Sequence, residues 1–506
     1  MQGKIVSYFS QFNKQYFPRK SMLLMLAGFM FITLLYNYTY VYRFGPIGPH
    51  MWRQSDCLSM AVNYYKENRP FLSPELHACS PDGPYITISE FPILNYAAAK
   101  LWSVFGYHPG WYRLIHHLFL LLGMFSLFRV SEGLLRHSWW GLIITLMFFS
   151  SPLLGFYGFS FIADVPALCL SLFGVYCLYK YHRFPKLRYL YLMIPVFTLA
   201  ALLKVTALFL PLLISGVFAL QQLKIVGRKQ QKIFKRPTYF FSAIAIVLII
   251  VTFWYRYASL FNKEHSAGLF LVGIIPIWEA SGQEIVKIFR SFVHSLLPEY
   301  FYRPGLLLMI FATFWLFLNR KKSGSLALTF IIAAFSIVLT YLLLFFQVFN
   351  VHDYYLINML PLILVLMLAF FLYLRANNKG VFLNRKVFFV FTALLMLQLW
   401  NSAVRTRLKF SARNPAVKNS VFVDNSEYGW YDYLSWSNSD ILGVCDEAGP
   451  WLRKKGIDRN VPVVCFPDGS INITLVKMDQ KGYTDNAYGS LTDRGLRLKA
   501  FTGYGA

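Results

Sequence analysis

Hydrophobic positions along this chain come in long unbroken runs, not at the alternating or 3.6-residue spacing of a water-exposed core element. The first, Ser21 to Tyr42, contains no charged residue. Similar runs follow at Leu114–Phe128, Trp139–Tyr157, Val165–Tyr179, Tyr189–Leu203, Val205–Leu220, Tyr239–Tyr255, Gly305–Leu318, Leu326–Phe349, Tyr355–Leu374 and Val387–Trp400. A helix crosses a bilayer with about 20 apolar residues, so the pattern predicts about eleven transmembrane helices. A shorter stretch, Phe91–Phe105, contains Pro92 and Lys100 and predicts an interfacial or re-entrant helix in the first long loop. From about Arg405 the pattern changes: acids, bases and turn residues mix. Short apolar segments (Ser420–Val423, Ile441–Cys445, Val461–Phe466) flank a helical stretch, Glu447–Lys455. The expectation is a transmembrane domain over residues 1–404 and a small soluble α/β domain over 405–506.

The first run follows Lys4, Lys14, Arg19 and Lys20, as a secretory signal would. It is too long for a signal core and carries no small-x-small cleavage site, so it reads as a retained anchor. Composition agrees with a lipid-facing chain: of 506 residues 57% are hydrophobic and 14% charged, against about 25% charged in soluble domains.

The net charge of +26 invites a nucleic-acid reading, and its distribution excludes one. With a cytoplasmic N-terminus and alternating spans, the inner segments are Met1–Lys20, Arg129–Ser138, Lys180–Arg188, Lys224–Arg236, Asn319–Gly324 and Arg375–Lys386. They hold 23 Lys and Arg against one acid, Glu132. The outer loops, Arg43–Gly110 and Arg256–Arg303, hold ten bases and nine acids. This is the positive-inside signature, and an odd number of spans puts the tail outside. The six cysteines are too few for a disulfide scaffold. Cys57 with Cys79, or Cys445 with Cys465, are open to bridging in an oxidising compartment; buried thiols are the equal alternative.

Ionisable groups at membrane depth are costly and mark function. Here they sit at span ends on one side: His50, Arg53 and Asp56, with the polar Gln54, after the first span, Glu90 before the interfacial helix, and Asp164 between the third and fourth spans. Lys204 lies between the fifth and sixth, and His352, Asp353, Tyr354 and Tyr355 between the ninth and tenth. Each has a plain structural reading. Arg53 and Asp56 suit an i,i+3 pair, Asp164 before Pro166 a helix cap. Lys204 suits snorkelling, Glu90 a helix-dipole partner, the tyrosines an aromatic belt. Caps and belts belong on both faces, however, and the inner face shows almost only Lys and Arg.

Carboxylates beside Arg, Lys and His suit activation of a hydroxyl next to a phosphate leaving group. A carboxylate takes the hydroxyl proton, and cations hold the charge that develops on the phosphate. A divalent metal on Asp and Glu oxygens is possible, though no D-x-D spacing supports one. There is no P-loop and no dinucleotide-binding glycine motif.

At these residues the sequence resembles the GT-C glycosyltransferase superfamily, in the bacterial branch related to protein O-mannosyltransferases and the lipid A aminoarabinose transferase. The first-loop acid matches Asp56 in Trp52-Arg53-Gln54-Ser55-Asp56. The acid–aromatic–Pro opening of an interfacial helix matches Glu90-Phe91-Pro92. A second acid matches Asp164-Val165-Pro166, a Lys matches Lys204, and a His-x-Tyr-Tyr followed by Leu-Pro matches His352–Tyr355 with Leu360-Pro361. Relatives often carry two adjacent acids in the first loop, whereas Asp56 here lies between Ser55 and Cys57. The resemblance implies inverting transfer of a sugar from a polyprenyl-phosphate donor to a lipid, glycan or protein acceptor outside the plasma or inner membrane. Asp56 would be the general base. Glu90 and Asp164 would orient substrate, Arg53, Lys204 and His352 would bind phosphate, and Tyr354 and Tyr355 would line the sugar pocket. The alternative is a transporter or flippase of lipid-linked glycans. That class places ionisable groups in mid-span and shows repeat symmetry, and neither is visible here.

Overall fold

The computed structural model describes residues 19–80, 83–227, 232–265, 270, 273–414 and 417–488. Most of the expected inner segment Met1–Lys20, and part of Lys224–Arg236, lie outside the described residues.

Each apolar run forms helix. Among the described residues six helices are long and apolar enough to cross a membrane, and a seventh span is counted if Gly282–Tyr300 and Arg303–Leu318, bent by 94°, act as one. The expected number was about eleven. The difference arises because three runs fold as shorter apolar helices, Ser21–Leu35, Ser138–Phe149 and Arg188–Leu203, and a fourth, Asp164–Arg183, is charged at both ends. Asn37 in the left-handed region breaks the first run. Ser150, Ser151 and Pro152 break the second, after which a separate short helix, Pro152–Tyr157, begins. The helix Pro109–Leu135 packs against both Ser138–Phe149 and Asp164–Arg183, and Asp164–Arg183 packs in turn against Arg188–Leu203. Their inward faces are almost wholly buried, whereas Pro237–Glu264 and Ser325–Leu344 leave most of their apolar surface exposed, as lipid-facing helices do.

One end of the bundle carries the first loop and the tail. The first loop forms a helix, Met51–Glu67, then the strands β1 (Glu75–Ser80) and β2 (Gly83–Ile86), then a helix, Ile93–Phe105, where the sequence predicts an interfacial or re-entrant one. Arg113, fully buried near the start of the helix Pro109–Leu135, ties this loop to the bundle. Its guanidinium donates to the carbonyls of Phe44 at 2.9 Å and Gly45 at 2.6 Å, and also to that of Phe159. Three backbone carbonyls thus satisfy a cation that would otherwise be costly at this depth.

The tail departs from expectation in two ways. The last long helix runs on from Arg385 to Phe410, past the boundary expected at 404. Beyond it, Ser420–Val423 is not a strand and Ile441–Cys445 is a turn joining two helical segments; among the described residues of the tail only Val463–Cys465 (β3) and Gly482–Thr484 (β4) are strands. These strands do not make a sheet of their own. They join the first loop in one four-stranded sheet of order β2-β1-β4-β3, with β4 parallel to both β1 and β3. Gly482 permits this because a side chain there would meet the Val463 carbonyl oxygen at 2.0 Å. A two-stranded ribbon is marginal alone, so each half of this sheet stabilises the other. All six cysteines are free thiols. Cys57 packs in the helical core of the first loop, and Cys79 packs against Tyr483 of the tail.

Candidate active site

A cavity of about 1810 Å³ opens between the first loop, the span ends and the tail. Five of the segments that line it carry the expected site residues and the wall facing them. The first is the turn Gly48-Pro49-His50 and the helix it opens. Gly48 has φ +74° and lies so close to Lys409 that a Cβ would sit 2.2 Å from the Lys409 carbonyl oxygen. His50 has φ 53°, a strained value for a residue with a side chain, and its imidazole reaches Asp353 at 3.1 Å. One turn later Arg53 and Asp56 face the cavity together, with Arg53 Nη1 3.9 Å from Asp56 Oδ2. Gln54, between them, points the other way. It is fully buried, and its amide donates to the carbonyls of Ile47 at 3.0 Å and Pro49 at 2.9 Å. Gln54 therefore holds the turn in place and does not line the cavity.

The second segment brings Glu90, which pairs with Arg53 and also accepts from the Ser89 hydroxyl at 2.6 Å. Burial pushes the Glu90 carboxyl up, but the guanidinium of Arg53 overrides it and holds the group below its ordinary value. The third brings Lys204, whose ammonium lies 3.1 Å from Asp164 Oδ1 and over the rings of Tyr355 (4.9 Å) and Tyr354 (5.4 Å). Asp164 opens its helix without a capping hydrogen bond; it faces Lys204 from just behind the cavity wall. The fourth brings His352, Asp353, Tyr354 and Tyr355, all lining the cavity. The fifth is the tail, which contributes Glu427, Trp430, Tyr431, Asp468 and Ser470 to the opposite wall.

Three side chains that the sequence reading did not single out, Lys409, Arg405 and Asn472, lie behind the lining and hold its acids. Lys409 has no exposed side-chain surface and sits 2.8 Å from Asp353 and 2.9 Å from Glu299. Arg405, one turn back, lies 2.8 Å from Glu299 and also pairs with Glu427. The buried Asn472 of the tail donates to Asp56 Oδ1 at 2.6 Å. The bases at 405 and 409 escaped notice because a rule that seeks uncharged runs ends the last span at Trp400.

Asp56 is 2% exposed. Burial pushes its carboxyl up to about 7, against the opposing pull of Arg53 and the Asn472 hydrogen bond. A carboxyl poised near neutrality can accept a proton from a hydroxyl and release it again. Among the described residues no three His, Cys, Asp or Glu side chains gather closely enough to hold a metal ion. Arg53 stands between Asp56 and Glu90, and Lys204 faces Asp164, so cationic side chains fill the places a divalent ion would need.

Residues 89–255 match the family described as dolichyl-phosphate-mannose-protein mannosyltransferase. No curated protein matches the sequence. Among solved structures, ArnT from Cupriavidus metallidurans bound to undecaprenyl phosphate is 12% identical, covers 91% of this chain and 85% of its own, and has a TM-score of 0.52. Its apo state gives 13% identity, coverages of 90% and 84%, and a TM-score of 0.49. The oligosaccharyltransferase AglB from Archaeoglobus fulgidus, in complex with an inhibitory peptide and a dolichol-phosphate, gives 10%, 91%, 64% and 0.48. Only the first of these is close enough for the shared fold to carry weight. With its apolar helices the chain is a multi-pass membrane protein; it shares the fold of ArnT, and its residues 89–255 resemble the mannosyltransferase family.

Proposed function

We propose that the chain moves a sugar from a polyprenyl-phosphate donor to an acceptor hydroxyl or amine, with inversion, at the non-cytoplasmic face of a bacterial plasma or inner membrane. The observation that carries this reading is the single cavity in which Asp56, Arg53, Glu90, Lys204, His352 and Tyr355 meet from four segments far apart in sequence. The acceptor nucleophile attacks the anomeric carbon in line with the departing phosphate oxygen, and Asp56 removes its proton. The bond from that carbon to the phosphate oxygen breaks, and the electron pair leaves on the phosphate. Lys204 and Arg53 hold the resulting charge in a site of low dielectric, where fixed cations act most strongly, and the neutral imidazole of His352 adds a hydrogen bond. Glu90 and Asp164 keep Arg53 and Lys204 aimed, and Tyr354 and Tyr355 flank the sugar. Exposed apolar helix faces beside the cavity suit the prenyl chain. The balanced charge of the surrounding loops supports the external orientation, with the tail on the same side.

The test is incubation of the purified protein with polyprenyl-phosphate sugars, with loss of donor followed by mass spectrometry. Asp56→Asn should remain inserted and folded and lose transfer; wild-type turnover in that variant ends the assignment.

A further inference from the structure

Asn472 stands where the tail reaches the cavity. Its amide donates to Asp56 Oδ1 at 2.6 Å. The residue is 1% exposed, and its own side-chain oxygen has no partner among the described residues. The turn that carries it is firmly built. Asp468 accepts from the backbone N–H groups of Ser470 at 2.9 Å and Thr474 at 3.0 Å, and from their hydroxyls at 2.5 and 2.6 Å. Thr484, on β4, donates to the Ser470 carbonyl at 2.6 Å, and β4 pairs with β1 of the first loop. The helix bearing Asp56 and the turn bearing Asn472 are thus fixed to the same sheet from opposite ends of the sequence.

We propose that Asn472 is the positioning residue for Asp56, so that the docked tail completes the active site. This rests on the reading of Asp56 as the base. The chemistry favours an amide at this place. It donates to the carboxylate, and turned over it accepts from the protonated acid, so one neutral group serves both states of a proton carrier. A cation would hold Asp56 ionised and weaken it as a base, and Arg53 already supplies positive charge 3.9 Å away. An apolar residue would leave the buried carboxylate oxygen without its donor.

The contact is tested by titrating Asp56 in the purified full-length protein through the carboxyl band in difference infrared spectra, with Asp56→Asn as the blank. The titration is followed beside the pH profile of kcat/KM for transfer from a polyprenyl-phosphate sugar. Loss of a hydrogen bond to a charged group should move the Asn472→Ala midpoint, and the acid limb of the profile, upward by about one pH unit. Lys477→Ala, which removes only an exposed ion pair of the tail with Asp446, should leave both unchanged. If limited proteolysis shows that Asn472→Ala frees the tail, the near-isosteric Asn472→Asp is read instead. Its second carboxyl should raise the Asp56 midpoint further. An unshifted midpoint and profile in the docked variant overturn the proposal. Full transfer by Asp56→Asn would instead overturn the base assignment, and the infrared midpoint would still report whether Asn472 controls the carboxyl.

Discussion

Lys409, one residue short of the end of the last long helix, places its ammonium 2.8 Å from the carboxylate of Asp353 at the start of another. Glu299 holds the same ammonium at 2.9 Å, so one fully buried cation serves two buried anions from distant segments. Removing the cation leaves Asp353 to His50 and Tyr157 and Glu299 to Arg405, each short of its shared ammonium. Lys409→Met should destabilise the protein by roughly 3–5 kcal/mol, the usual cost of breaking a buried pair from one side. Adding Asp353→Asn and Glu299→Gln should recover much of that loss, because no charge is then left unpaired. Denaturant unfolding in detergent measures both, and a single variant as stable as wild type would show that Lys409 does not hold these acids.

The site was legible in the sequence to the extent that polar residues stood out against hydrocarbon. Asp56, Glu90, Lys204 and His352 interrupt apolar or aromatic surroundings, and their shared face followed from counting spans. Gln54 was legible as polar but not in direction: a helix turn places it opposite Arg53 and Asp56, toward two backbone carbonyls. Asn472 gave no signal, because a polar residue in a polar tail is unremarkable until the sheet β2-β1-β4-β3 brings it to Asp56. Parallel pairing between β1 and β4 joins residues some 400 apart, and no local pattern encodes such a contact.

Asp56 makes a prediction with a definite sign. Its folded value is raised from an ordinary 3.8 to about 7, so ionising it opposes folding, and the wild type loses stability as pH rises between those values. Asp56→Asn carries no such penalty. Its stability relative to wild type should improve from pH 4 to 7 and then level off, by a few kcal/mol at most. In the same window wild-type kcat/KM should rise with pH, as a base becomes available. Thermal unfolding and initial rates across pH 4–8 check both. A flat difference in stability would mean that Asp56 is ionised throughout.

The docking of the tail should weaken in acid. Arg459 meets Glu67, Asn63 and His77, Lys481 meets Glu67 and Glu75, and Asp479 meets Lys66 and His77, all between tail and first loop. His77 is buried and its ring is pushed down to about 4, so it stays neutral and accepts from Arg459. Unfolded chains gain this proton near 6.5, so stability falls as pH drops from there to about 4, by roughly 3 kcal/mol. Burial pushes Asp479 and Glu67 up, but their basic and hydrogen-bonding partners hold both below ordinary carboxylate values. Their contribution is complete above about 4 and is lost only at lower pH. Limited proteolysis of the tail should therefore accelerate in two stages on acidification. His77→Gln should remove the first stage alone, and a tail equally resistant at pH 4 and 7 would contradict the scheme.

Lys204 separates a catalytic from an anchoring role. A lysine that merely snorkels to headgroups has its ammonium in water; this one lies 3.1 Å from Asp164 and against two tyrosine rings inside the cavity. If it holds the leaving phosphate, its contribution grows as charge develops there. Lys204→Met should then lower kcat by about 10²–10³, as loss of one oxyanion donor does elsewhere, with a smaller change in KM. Because the single variant strands the buried Asp164, the comparison needs Lys204→Met with Asp164→Asn, which leaves no lone charge and should fold like wild type. Lys204→Arg keeps the cation and loses its compact geometry, so it should fall between the two. Steady-state rates with a polyprenyl-phosphate sugar decide the matter: full kcat in the folded double variant would return Lys204 to the role of a membrane anchor.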